Sequence, residues 1–243
     1  MTFKRSSLLL FALSVFLFAC QSRKSTPLPP TQAVTPFPEA TATLEPTATL
    51  PPALRDFTEN FDSPSPYWFT FGTSNVKPDI QLQNGFLVFN LTQANDWADI
   101  IYNAQDYQDV RVDAQVEMRS GNNGTVGIVC NYSQANGWYE FNIYADQTYA
   151  ITYGQWLSPG LARYMPLRLA SSEKIKTGTN QIGLVCQGNT LTPYINNVRM
   201  IVYEDNKVGL KHGNVGLTAS SFTDVPFVAA FDWVKVSTPP VTP

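Results

Sequence analysis

The 243-residue sequence carries 14% charged and 13% aromatic residues, one histidine, three cysteines and a formal net charge of −3. A basic nucleic-acid surface, the Ala/Glu/Lys/Leu bias of a coiled coil and a histidine-rich metal site are all excluded by such figures. A four-ligand Cys/His zinc set would need every cysteine plus His212, and Cys20 lies in an apolar leader.

In chain order, residues 1–20 read as an export signal. Lys4 and Arg5 form a positive start, and Leu8–Ala19 is an apolar run. It is shorter than the roughly twenty residues that a spanning helix needs. The run ends Leu17-Phe-Ala-Cys20, which resembles a bacterial lipobox. That resemblance implies lipid on Cys20, a membrane as partner, and export to the outer side of the cytoplasmic membrane or the cell surface. An ordinary cleaved signal with an incidental cysteine is the alternative. Residues 21–54 follow, with eight prolines and seven threonines and few large apolar side chains. Such a segment cannot bury enough surface to offset its ordering entropy and is expected to be a disordered tether. In extended polyproline II it would reach on the order of 100 Å. Residues 238–243 read as a short flexible tail of similar composition.

The remaining residues, 55–237, suit one monomeric domain. Asn84-Gly85 precedes a predicted strand at Phe86–Leu91 and fits a hairpin with a primed turn. Val110–Met118 alternates strictly. Val110, Val112, Ala114, Val116 and Met118 point one way, and Arg111, Asp113, Gln115 and Glu117 the other. Strands are predicted next over Thr125–Tyr132, Trp138–Tyr144 and Thr148–Tyr153, the last two after Asn136-Gly137 and Asp146-Gln147. Gly154–Lys176 reads as a long loop with one strand near Arg163–Leu169. Then come Gln181–Cys186, Thr190–Ile195, Val198–Tyr203, Val215–Ala219 and Val228–Val236, set off by Gly/Asn turns. No window shows a helical stripe, so the domain is expected to be all-β, a sandwich or barrel. Trp68 and Trp233 read as core residues. Cys130 and Cys186 end comparable apolar runs, and an exported chain favours one disulfide between them. By loop entropy this bridge would contribute about 4 kcal/mol. Two separate buried thiols are the alternative.

Several blocks carry a family resemblance. They are Phe57–Asp62 with Trp68, Gln83–Val88, Gly127–Tyr132 with Gly137–Ile143, Asn180–Val185 with Leu191–Asn197, Gly213–Leu217 and Phe231–Val236. Their order resembles concanavalin A-like (laminin G-like) jelly rolls. The resemblance implies an antiparallel two-sheet jelly-roll sandwich. It places the chain beside lectins, glycanase-associated modules, glycoside hydrolases and 3-keto-disaccharide hydrolase-like domains.

Candidate chemistry is sparse. The Glu-x-Asp-x-x-Glu strand motif of one glycosidase family on this fold is absent. Asp113 and Glu117 sit between Arg111 and Arg119, as a solvated strand face would. The strand Trp138–Tyr144 is more informative. Tyr139, Phe141 and Ile143 share a core face, while Trp138, Glu140, Asn142 and Tyr144 share the opposite one. Aromatic rings stack on the C–H patches of a sugar, and Glu or Asn orients its hydroxyls. Trp156, Tyr164 and Trp97 are expected to border this face. A plain solvent face, or one covered by loops, is the competing reading. The expected role is therefore non-catalytic binding of carbohydrate or a cell-surface glycan. The alternatives are a glycoside or 3-keto-glycoside hydrolase-like enzyme centred on Glu140, and an adhesive surface protein that binds another protein. No cofactor or metal site is assigned. A structural calcium ion would draw on Asp62, Asp96, Asp99 and Asp232, without an Asp-x-Asp-x-Asp-Gly loop. His212 reads as a solvated turn residue.

Overall fold

Alternation of period two, interrupted at Asn and Gly turns, gives a succession of antiparallel strands. The structure, a computed structural model, describes residues 53–73, 77–121 and 123–239. Chain order runs β1 (Phe57–Glu59), β2 (Trp68–Gly72), β3 (Ile80–Gln83), β4 (Phe86–Leu91), β5 (Trp97–Tyr107), β6 (Val110–Ser120), β7 (Gly124–Ser133) and β8 (Gly137–Tyr144). It continues with β9 (Thr148–Ser158), β10 (Leu161–Ser171), β11 (Thr179–Gln187), β12 (Thr190–Ile195), β13 (Val198–Arg199), β14 (Tyr203–Glu204), β15 (Gly213–Ser221) and β16 (Phe227–Ser237). No helix occurs among the described residues.

Two sheets form the jelly-roll sandwich. One is ordered β10-β9-β8-β7-β15-β5-β2. The other is ordered β13-β12-β11-β6-β16-β4-β3, with β1 added beside β16 and β14 beside β12. Val110, Val112, Ala114 and Val116 of β6 point into the space between the sheets. There they join Tyr139, Phe141 and Ile143 of β8 in one buried cluster. The outer face of β6 pairs its own charges, Arg111 with Asp113 at 2.7 Å and Arg119 with Glu117 at 2.9 Å. At Asn84 and Gly85 the backbone is left-handed, φ 53° and 77°, as a two-residue primed turn requires. Cys130 of β7 and Cys186 of β11 are bonded, with Cα atoms 6.7 Å apart. The bond joins the two sheets from strands in the middle of the fold.

Three expectations need correction. Gly154–Lys176 is not a loop with one short strand. β9 runs on to Ser158, and β10 returns from Leu161 to Ser171 as the outer strand of its sheet. The alternation is obscured by a register shift between Pro166 and Arg168, and by Leu161, Met165 and Leu169, which are exposed. Proline is tolerated there because an edge strand has a side free of hydrogen bonds. Val198–Tyr203 is two short pieces, β13 and β14, both paired with β12. Trp68 packs against the core, but Trp233 does not. A register shift between Phe231 and Trp233 sets Trp233 opposite Gln115, on the outer face.

Residues 1–52, which hold the signal, Cys20 and most of the tether, lie outside the described residues. Ala53 and Leu54, the last two residues assigned to that tether, offer their carbonyls to Gln105 at 3.5 Å and Tyr102 at 3.3 Å. Of the tail, Thr238 donates to Asp56, and 240–243 lie outside the described residues.

Candidate functional site

The outward face of the seven-stranded sheet carries the predicted residues. Trp138, Glu140, Asn142 and Tyr144 of β8 point away from the inter-sheet core. Pairing sets Gly154 and Thr152 of β9 opposite Trp138 and Glu140. On β7 it sets Gly127 and Thr125 opposite Asn142 and Tyr144. Thr218 and Ser220 of β15 continue these rows to Asp99 and Trp97 of β5. Two glycines are needed here for room. A Cβ on Gly154 would run into the Trp138 ring, and one on Gly127 into the Asn142 side chain.

One half of this face is aromatic and apolar. Ile101, Val129, Tyr132 and Trp138 are buried there beneath Phe69, Phe71, Trp156 and Tyr164. Phe71, from the outer strand β2, lies 5.9 Å from Trp138 and 5.1 Å from Trp156. Trp97 lies 5.9 Å from both Trp156 and Tyr164, the latter on the opposite outer strand β10. Rings from the two rims therefore meet above the face. The sheet curls, and an aromatic bridge closes the face at this end.

The other half is polar and hollow. A cavity of about 250 Å³ has Glu140, Asn142 and Thr152 at its buried floor and Trp97, Tyr144, Tyr164 and Phe222 around it. Tyr144 and Phe222 stack at 6.1 Å. Glu140 is nearly inaccessible and well held. Trp138 Nε1 donates to its Oε1 at 2.6 Å, and Asn142 Nδ2 donates to its Oε2 at 2.8 Å. Burial pushes the Glu140 carboxyl up, and the Trp138, Asn142 and Tyr164 donors pull it part of the way back. Asp99 is fully buried on the same face, between Thr218 and Phe71 in the strand pairing, and does not line the cavity. Burial first, and then the charge of Glu140, push its carboxyl well above the ordinary range. The Thr218 hydroxyl eases this, but its own hydrogen bond goes to the Ala98 carbonyl at 3.4 Å. Both Asp99 oxygens and Asn142 Oδ1 are left without a partner. Burial, then Glu140 and Asp99, push the Tyr164 hydroxyl well up. The site is thus a pair of carboxyls on strands β5 and β8, with three strand spacings, about 14 Å, between their backbones along the sheet. Such a pair can accept hydrogen bonds or hold a proton.

All seven predicted residues come to this one face. Trp97, Glu140, Asn142, Tyr144 and Tyr164 line the cavity. Trp138, at 0% exposed, and Trp156 sit behind them in the aromatic half. Trp138 is therefore a supporting residue rather than a platform. Asp99, Thr152 and Phe222 were not predicted here. Asp99, a lone acid inside the run Ala98–Tyr102, stands with Asp62, Asp96 and Asp232 among the expected calcium ligands rather than among the expected site residues. Among the described residues no three His, Cys, Asp or Glu side chains converge on a metal position. Asp232, for one, accepts from Gln115 on the other sheet at 2.6 Å. His212 is exposed and meets Asp106 at 2.8 Å.

A model of the 3-keto-alpha-glucoside-1,2-lyase-like domain matches residues 56–229. The chain belongs to this family. No curated protein sequence matches the chain. Among solved structures, the lyase-like domain is similar to the carbohydrate binding module CBM66 from Bacillus subtilis. Identity is 14% and the TM-score 0.55, over 71% of this chain and 96% of that one. It is also similar to a Bacillus licheniformis beta-glucanase, at 12% identity and TM-score 0.53, over 76% and 98% of the two chains. A third is the laminarinase catalytic domain from Thermotoga maritima, at 10% identity and TM-score 0.55, over 76% and 97%. At these identities the likenesses establish the lyase-like domain's jelly-roll fold alone.

Proposed function

We propose that this lyase-like domain is a binding module that takes the terminal unit of a carbohydrate into the cavity beside Glu140, without turning it over. The observation that carries this is the aromatic bridge. It turns an open face into a pocket with one closed end, so a long chain would enter end-on rather than lie across. Trp97 and Tyr164 offer ring faces, and Glu140 and Asn142 offer acceptors at fixed positions. A carbohydrate binding module and two glucan-degrading enzymes on the same fold are consistent with such a ligand. A glycan array probed with the full chain tests the reading, with hits quantified by calorimetry. Trp97→Ala and Glu140→Gln are each expected to weaken binding about 10- to 100-fold, the equivalent of about 1.5–3 kcal/mol. Absence of any glycan hit, or unchanged affinity in both variants, removes the proposal.

One observation favours catalysis as a second reading. Two buried carboxyls pushed up in one site are the usual setting of acid–base chemistry, and the family is lyase-like. Cleavage of array ligands by the full chain, abolished by Glu140→Gln, would decide for it. Cleavage that survives Glu140→Gln would reject Glu140 as its centre.

We also propose that lipid on Cys20 holds the module outside the cytoplasmic membrane, with 21–54 as a spacer. Cys20→Ser is expected to move the protein from the membrane fraction to the soluble one. Retention of the serine variant in membranes counts against the lipid anchor.

A further inference from the structure

The cavity is chemically one-sided. Among the described residues, Glu140 and Asp96 line it, and no lysine, arginine or histidine does. Asn142 is 6% exposed, lines the cavity, and has an unpartnered Oδ1 that lies over the bare backbone of Gly127. Both Asp99 oxygens are unpartnered as well. Trp156 Nε1 is without a partner too, but it lies in the aromatic half, so at the cavity wall the vacant hydrogen-bonding atom is an acceptor and the charge is negative. The groups that face this region are Asp96 and Asp99 at β5, Glu140 and Tyr144 of β8, Tyr164 of β10 and Tyr132 of β7. The residues that β2, β9 and β15 turn to this face, Phe69, Phe71, Thr152, Gly154, Trp156, Thr218 and Ser220, add no charge.

A neutral hydroxyl can satisfy one acceptor and brings no positive charge. A uronic acid would add a third negative charge to the same space. A primary ammonium supplies three donors and the missing positive charge. We propose that the sugar unit taken by this cavity carries a protonated primary amine, held by Asn142 Oδ1 and the Glu140 carboxylate, with Asp99 adding its charge from beneath the same face. This rests on the carbohydrate reading above and adds the charge class of the ligand. In the free protein, burial and mutual repulsion favour a proton on the pair. The incoming ammonium makes that proton unnecessary, so one proton leaves as one cation enters, and the charge in the site is unchanged.

The test is calorimetry of the full chain with glucosamine, glucose, N-acetylglucosamine, glucuronate and propylamine. It is run at about pH 6.5, where amines of this kind are protonated. Two buffers of different ionisation enthalpy report proton release. Glucosamine is expected to bind about tenfold or more tightly than glucose. It should release a proton, and the advantage should be lost in Asp99→Asn and Glu140→Gln. Proton release from the unsubstituted protein serves if either variant fails to fold. Equal affinity for glucose and glucosamine, or tighter binding of glucuronate, overturns the amine while leaving the carbohydrate reading in place. Propylamine binding as tightly as glucosamine, with no response to glucose, keeps the amine and overturns the sugar.

Discussion

Replacing Cys130 and Cys186 together by alanine is expected to cost about 4 kcal/mol of stability, lowering Tm by roughly 8–16 °C for a domain of this size. The two cysteines are 56 residues apart in sequence and belong to different sheets. Without the bond, the unfolded chain regains the freedom of that whole loop. The folded state loses its covalent tie between β7 and β11. Both side chains are buried, at 0% and 1% exposed, within the main core cluster, so the missing sulfurs add a small packing loss. Thermal unfolding of the double variant measures the effect. A fall of only a degree or two would mean that the unfolded chain is already restrained in this region. The site should feel the loss too, because β7 carries Thr125, Gly127 and Val129 beneath it.

Trp138→Ala is the second large effect, about 3–5 kcal/mol. Trp138 is fully buried and contacts Phe71, Tyr132, Trp156 and Tyr164, so alanine leaves a hole under the aromatic bridge. It also strips Glu140 Oε1 of its donor. Trp138→Phe separates the two losses, since it keeps most of the ring and removes only the N–H. Burial already pushes the Glu140 carboxyl up, and without the Trp138 donor it should rise further. A carboxyl raised in the folded state favours folding fully at pH below its unfolded value of about 4.3. That advantage is lost as pH climbs toward the folded value. Trp138→Phe should therefore destabilise more at pH above the folded value than near the unfolded one, as measured by urea unfolding across the range. An equal loss at every pH would show that the indole N–H does not favour the anion over the acid.

Much of this architecture is legible from local pattern. Strict alternation in Val110–Met118 identifies a two-faced strand, and Asn84-Gly85 marks the β3–β4 hairpin because both residues accept left-handed backbone. The division of Trp138–Tyr144 into Tyr139, Phe141 and Ile143 against Trp138, Glu140, Asn142 and Tyr144 matches the structure. Alternation reports which face a side chain takes, however, and not what lies above it. Trp138 is on the predicted face and still inaccessible, because the curl of the sheet brings Phe71 over from four strands away. Curvature is a property of the whole sheet, so no window of sequence contains it. The pairing of Asp99 with Glu140 is hidden for the same reason, since 41 residues separate them in the chain. The β9–β10 hairpin was obscured locally, by Pro166 and the register shift beside it.

The aromatic bridge also makes the molecule its own optical probe. Three of the five tryptophans, Trp97, Trp138 and Trp156, form one chain of rings, with centroids 5.9 and 5.1 Å apart. Indoles this close share excitation, and only Trp97 of the three borders the cavity. A molecule that enters need perturb that one ring to alter the emission of the group, so occupancy can be followed without any label.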